Sequence, residues 1–207
     1  MLINNYRFDG IAYDETPITE DYSNKYLDKF KAYKENACMN SAINEARCEL
    51  VSIYAGLEQV LDIGCGNMDF MALYHTKNCP LIYGYDVIPD TVKALQVLKA
   101  YVNPYHDYIG NISVITMFDV LEHIADIDAL LDKMPALSYI ITSIPIYESL
   151  DDIKDSPHYR PGEHIWYFTD AGIKSLMNCN DYKYIESTDI ETDIGRQDIR
   201  TYVFRKK

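Results

Sequence analysis

Three features of this 207-residue chain predict an α/β fold built on a mainly parallel sheet. From Gln59 onward, short β-branched runs alternate with amphipathic segments, the pattern of repeated βαβ units. One of those runs, Val60-Leu61-Asp62-Ile63, passes straight into a glycine turn, Gly64-Cys65-Gly66. The last two strand-like runs are joined by Asp193-Ile194-Gly195-Arg196, too tight a link for a crossover, so that pair is antiparallel.

The elements follow in order. Residues 1–56 are polar and tyrosine-rich, with spaced apolar positions from Tyr22 to Tyr54 that predict two helices. This lead-in, residues 1–56, precedes a core domain of residues 57–207. Strands are predicted at Gln59 to Ile63, Leu81 to Asp86, Ala100 to Asn103, Ser113 to Phe118 and Ser138 to Ser143, with helices after Gly66, Pro89 and Asp126. Pro145 forbids a regular inner strand, so the chain is expected to turn there over the mouth of the sheet. After a loop rich in Asp, Pro and Gly, Thr169-Asp170 starts a helix that runs through Met177. Tyr182 to Thr188 and Ile199 to Phe204 complete seven strands.

Charge and composition bound the function. Nineteen Lys and Arg stand against 32 Asp and Glu, a net charge of −13 that repels phosphate backbones and disfavours nucleic acid as a partner. No run of about 18 apolar residues is long enough to span a membrane. The start lacks a basic region followed by an apolar one, and a cytoplasmic location is expected. Cys38, Cys48, Cys65, Cys79 and Cys179 contain no C-x-x-C pair, so free thiols and no metal site are expected.

The chemistry-bearing residues gather at strand ends. Glycine at 64 and 66 lets backbone approach a ligand, and a strand running into such a turn lies where doubly wound sheets bind ligands. Asp86 ends the second strand, where a carboxylate accepts hydrogen bonds from ribose hydroxyls or, alternatively, caps the following helix. Glu122 and His123 are sequence neighbours whose side chains should diverge and form no dyad. The segment from His158 to Thr169 gathers two His, an Arg, a Glu and a Trp-Tyr-Phe run in what reads as a loop at the mouth of the sheet. His164 is the first candidate for a general base, with Glu163 beside it and His158 second.

The order Asp62-x-Gly64-x-Gly66, acidic Asp86, and Phe118-Asp119-Val120-Leu121-Glu122-His123-Ile124 closely resembles class I S-adenosylmethionine (AdoMet)-dependent methyltransferases, from about Asn44 to Arg205. The resemblance implies a Rossmann-like sheet of strand order 3-2-1-4-5-7-6 with strand seven antiparallel, and AdoMet as cofactor with S-adenosylhomocysteine as product. It implies that Asp62 and the backbone of Gly64, Cys65 and Gly66 hold the methionine end. Asp86 and Val87 would hold the ribose, Asn103 the adenine amine, while Phe118 and Asp119 lie beside the sulfonium and His123 is structural. Asn67-Met68-Asp69 follows Gly66 in place of a third glycine, a departure that argues against a nicotinamide cofactor. Glu163-His164 with the aromatics after it resembles small-molecule methyltransferases of the ubiquinone-biosynthesis type.

The expected function is methyl transfer to an oxygen or nitrogen of a small-molecule acceptor by a monomer or homodimer. A non-catalytic AdoMet-binding subunit and a nucleic-acid or protein methyltransferase are the alternatives. Tyr22, Tyr26 and Arg47 read as parts of a helix packed on the sheet edge, or else as groups that close over the cofactor and pair its carboxylate.

Overall fold

The computed structural model describes residues 2–4, 9–26, 37–56, 58–78 and 81–207. The central sheet is parallel across four strands, in the order β4 (Ile82–Tyr85), β3 (Gln59–Ile63), β5 (Ile112–Phe118) and β6 (Tyr139–Tyr147). Antiparallel to β6 lies β9 (Ile199–Lys206), which pairs in turn with β8 (Tyr182–Thr188). Apart from the third strand, this is the predicted order.

Both faces of the sheet are covered because successive residues of each inner strand point opposite ways. Val60, Val114, Ile141 and Val203 face one side, where they pack on Cys48, Val51 and Ala55 of helix α1 (Ala37–Ala55) and on Phe70 and Tyr74 of α2 (Asp69–Asn78). Their neighbours Leu61, Ile115, Ile140 and Phe204 face the other side. There they meet Leu130 and Leu131 of α4 (Ile127–Lys133) and Ile173 and Met177 of α5 (Asp170–Cys179). Helix α3 (Pro89–Val97), with Pro at its start, packs Leu95 against Met71 and Cys65. Thr169 caps α5 as expected, its hydroxyl accepting from the Gly172 amide at 3.1 Å.

Four expectations change. Ala100 to Asn103 forms a single bridge, Gly84 with Tyr101, instead of a strand. Lys99 before it is left-handed (φ 56°) and the Asn103-Pro104 turn follows, so too few extended residues remain. The chain does not turn away at Pro145, which stays in register opposite Ile199. The Ile146 amide donates to the Asp198 carbonyl, so alternation aims the Pro145 nitrogen at the other edge of β6, between the last pairing with β5 at Ser143 and the first with β7 (Trp166–Thr169) at Ile146. A missing N–H costs nothing in that gap. Between β8 and β9 stands a one-turn helix, α6 (Ile190–Ile194), ended by Gly195 at φ 127°.

The lead-in is the fourth change. It supplies two strands, β1 (Leu2–Asn4) and β2 (Ile11–Asp14), and of the two predicted helices one is seen, α1, after a 3₁₀ turn at Asn24–Tyr26. Positions 27–36 lie outside the described residues, as does Cys79. β2 pairs antiparallel with β7, which runs parallel to the far end of β6. The last four residues of the expected loop, Trp166 to Thr169, are therefore a strand with a buried Trp-Tyr-Phe run. This small sheet of β1, β2 and β7 continues past the end of β5 and forms a roof over the Leu121–His123 turn that follows it, against which β7 packs. No helix among the described residues is long and apolar enough to cross a membrane.

Candidate active site

At the tips of β3 and β4 the backbone folds back on itself through left-handed residues. Gly64 (φ 72°) and Gly66 (φ 52°) supply two of them, and Met68 (φ 65°) adopts the same region without glycine's freedom. A Cβ on Gly64 would lie 2.3 Å from a Val120 methyl, so this glycine is needed for packing against the chain that leaves β5. The amides of Gly64 and Cys65 both donate to the Tyr85 carbonyl, at 2.7 and 3.3 Å, and that of Gly66 to Asp86 Oδ2 at 2.7 Å. The Cys65 side chain itself is core, against Met71 and Leu95.

Asp86 is buried and accepts three amides, from Val87 and Ile88 on Oδ1 and from Gly66 on Oδ2. Burial pushes its carboxyl up, and these three donors oppose the shift. A carboxylate has about four lone-pair sites, so Oδ2 keeps one for a ligand hydroxyl. Asp62, on the adjacent strand, accepts from the Thr116 hydroxyl at 2.6 Å, and burial raises it to about 7. Two carboxylates on neighbouring strand tips suit a ligand with paired hydroxyls and a positive charge. Val87 beside them is exposed. The Asn103 side chain holds the Tyr105 amide at 3.0 Å, the turn-forming use of this residue.

At the tips of β5 and β6 the structure assembles an ion cluster that spacing alone did not show. Asp119, left-handed at φ 59°, takes two bonds from Arg196, at 2.8 and 2.9 Å. Glu191, fully buried, takes Arg47 at 2.7 and 2.9 Å, Arg196 at 2.7 Å and the Ser143 hydroxyl at 2.7 Å. Burial pushes the Asp119 carboxyl up, but Arg196 and then Arg47 outweigh it and hold it well below the usual range. The Arg47 guanidinium also lies 4.2 Å over the ring of Phe118. Arg47 is thus anchored at strand tips next to two residues expected near the sulfonium.

A second group collects under the roof. Leu121–His123 forms one 3₁₀ turn, and the Glu122 carbonyl accepts from the Ile165 amide at 2.9 Å, which ties the turn to the entry of β7. His164 is thereby brought against His123, ring centroids 4.7 Å apart and nearly perpendicular. The Nδ1–H of His123 donates to the Glu163 carbonyl at 2.9 Å, and the Tyr22 hydroxyl lies 3.2 Å from the same nitrogen. Its Nε2 lies 4.0 Å from Glu122 Oε1, so the neighbouring Glu and His do converge, contrary to the expectation from their spacing. Burial, then the Asp119 charge, raises Glu122 well above the carboxylate range, while burial and then His123 lower His164 to about 3. His164 is a neutral imidazole at pH 7.

The other two acceptor-side candidates sit further out. The Glu163 carboxylate pairs with Arg160 at 3.3 Å. His158 donates from Nε2 to the Gln197 carbonyl at 2.7 Å, which leaves Nδ1 as an acceptor. Gln197 follows Arg196 of the ion cluster, so His158 is tethered beside it. The Tyr22 and Tyr26 rings pack at a tilt, centroids 5.1 Å apart, with Tyr22 edge-on to His123.

Residues 24–187 match the family model described as a methyltransferase domain. No curated protein matches the sequence. Among solved structures, the fold is similar to 1,6-didemethyltoxoflavin-N1-methyltransferase of Burkholderia thailandensis with 1,6-didemethyltoxoflavin and S-adenosylhomocysteine bound. That likeness has a TM-score of 0.64 at 14% identity and covers 98% of each chain. Magnesium protoporphyrin IX methyltransferase of Synechocystis, also with S-adenosylhomocysteine, gives a TM-score of 0.57 at 16% identity over 82% of this chain and 84% of that one. An AdoMet-dependent methyltransferase of Archaeoglobus fulgidus gives 0.58 at 17% identity, over 79% and 93%.

Proposed function

The chain belongs to the methyltransferase-domain family, and from that premise we propose that it moves the methyl group of AdoMet to an oxygen or nitrogen of a small-molecule acceptor. The observation that carries the cofactor side is the pairing of Asp62 and Asp86 on adjacent strand tips beneath the left-handed Gly64–Gly66 turn. When bound, AdoMet supplies an electrophilic methyl on a sulfonium; every other task falls to the chain. Asp86 offers its remaining lone pair to a ribose hydroxyl, with Val87 beside it, and Asp62 faces the positive methionine end. Phe118 and Asp119 end the strand next to them, and Asn103 borders the site through its turn.

In-line displacement needs alignment and exclusion of water more than covalent help. The β1, β2 and β7 roof and the Tyr22–Tyr26 pair cover the acceptor side. Of the three acceptor-side residues, His158 has a ring nitrogen open to take a proton. Glu163 fixes the His123 ring through its carbonyl. His164, at about 3, holds a proton too weakly to store one and instead supplies a lone pair. The four described cysteines are free, which supports a cytoplasmic setting.

The test is methyl transfer from labelled AdoMet to pooled hydroxyl and amine acceptors, alongside binding of S-adenosylhomocysteine. Label in a small-molecule product that falls at least tenfold in His158→Ala upholds the reading. Label that appears only in protein or nucleic acid, or no binding of either cofactor form, overturns it.

A further inference from the structure

We propose that Glu122, His123 and His164 form a binding site for one divalent transition-metal ion, of the zinc class. Each residue offers one ligand atom, and these atoms all lie within 4.8 Å of one another. Glu122 is 2% exposed and His164 5%. Glu122 Oε2 and His164 Nδ1 find no hydrogen-bond partner among the described residues. A buried acceptor left unpaired costs about 1–3 kcal/mol, and more when charged. Each of these two residues thus keeps a buried polar atom unpaired, a need that one shared cation meets.

His123 completes the set. Its Nδ1–H is spent on the Glu163 carbonyl at 2.9 Å, which fixes the tautomer and turns the Nε2 lone pair toward Glu122 Oε1 at 4.0 Å. An imidazole whose N–H is held by a backbone carbonyl while its other nitrogen keeps a free lone pair is how metal-binding histidines are held in orientation. The backbone frames the group from both sides, since the Ile165 amide holds the Glu122 carbonyl and the His164 amide donates to the Arg160 carbonyl at 2.8 Å. Tetrahedral zinc bonds of about 2.0–2.1 Å put ligand atoms roughly 3.3 Å apart, so small side-chain rotations close the cluster.

Two imidazoles and a carboxylate suit zinc, cobalt(II) or iron(II), and three protein ligands leave a coordination position open. That position lies under the roof, with Tyr22 against His123. Resting on the methyltransferase reading, it takes an oxygen of the acceptor, which narrows the acceptor class to hydroxylated molecules.

The experiment uses the full chain, stripped with a chelator and dialysed, titrated with zinc chloride by calorimetry and with cobalt chloride by visible spectroscopy. One equivalent should bind, with d–d absorption and no thiolate charge-transfer band, and zinc should displace the cobalt. His164→Gln and His123→Gln should each weaken cobalt binding by more than the ~10- to 100-fold that losing an outer partner costs. Both variants should still bind S-adenosylhomocysteine, which shows that they fold. Replacing the exposed Cys38 and Cys179 with serine should leave the spectrum unchanged. No stoichiometric uptake by the wild-type chain would overturn the site, as a bridging water or shared proton predicts. So would unchanged affinity in both histidine variants. Cobalt uptake without any cofactor binding would sustain the metal site and remove the acceptor assignment instead.

Discussion

Asp62 is held to about 7 by its burial, whereas in an unfolded chain it titrates near 3.8. The folded state therefore binds the extra proton between those values. This carboxyl's contribution is fully present at low pH and is lost as pH rises through about 7. Asp62→Asn keeps an acceptor for the Thr116 hydroxyl and removes the ionisation. Urea unfolding of both proteins from pH 4 to 8 should show the variant gaining on the wild type up to about pH 7, by about 1.4 kcal/mol per pH unit. The difference should be flat above that. Parallel curves across the range would mean that Asp62 is ionised throughout. At Glu191, two guanidiniums and a hydroxyl converge on a fully buried carboxylate. Glu191→Gln leaves Arg47 and Arg196 short of a counter-charge and should cost about 3 kcal/mol, read as a lower urea midpoint at unchanged slope.

Among the elements, the roof depends on one close approach. A Cβ on Gly172 would stand 2.1 Å from the Gly10 carbonyl oxygen, and that oxygen also accepts from the amide and hydroxyl of Thr169. Gly172→Ala should wedge α5 from β2, costing about 1–3 kcal/mol. Residues 9–26 should become more open to limited proteolysis than the central sheet. Equal protection of the two regions would show that β2 is held without this contact. The roof is also where sequence reasoning fell short. Runs such as Val60 to Ile63 and Ser113 to Phe118 are legible because an inner parallel strand must be apolar on both faces, and the Gly64–Gly66 turn because left-handed backbone favours glycine. β2 is four residues long in a polar stretch, and its strand identity comes from β7, more than 150 positions away. The convergence of Glu122, His123 and His164 has the same origin: the Ile165 amide bonded to the Glu122 carbonyl brings together residues some 40 positions apart. The ion cluster depends likewise on α6, a single turn that carries Glu191 to the tips of β5 and β6.

At the scale of the whole molecule, a net charge of −13 surrounds a site that already holds Asp62, Asp86 and Asp119. Such a field attracts cations and repels anions over a Debye length of about 10 Å at 0.1 M salt. AdoMet and S-adenosylhomocysteine share every group except the methyl and the sulfonium charge it creates, so they report on that field by difference. One unit charge a few ångströms from another is worth of order 1 kcal/mol in water, and less as salt rises. Calorimetry at low and at high salt should therefore show AdoMet losing about threefold in affinity, while S-adenosylhomocysteine changes little. The common groups cancel in this comparison, which makes it insensitive to small rearrangements of the Gly64–Gly66 turn. Equal salt dependence for the two ligands would mean that Arg47 and Arg196 neutralise the strand tips locally and that the acidic surface lies too far away to matter. A salt response confined to AdoMet, and lost in Asp62→Asn, would trace it to the carboxylate at the tip of β3.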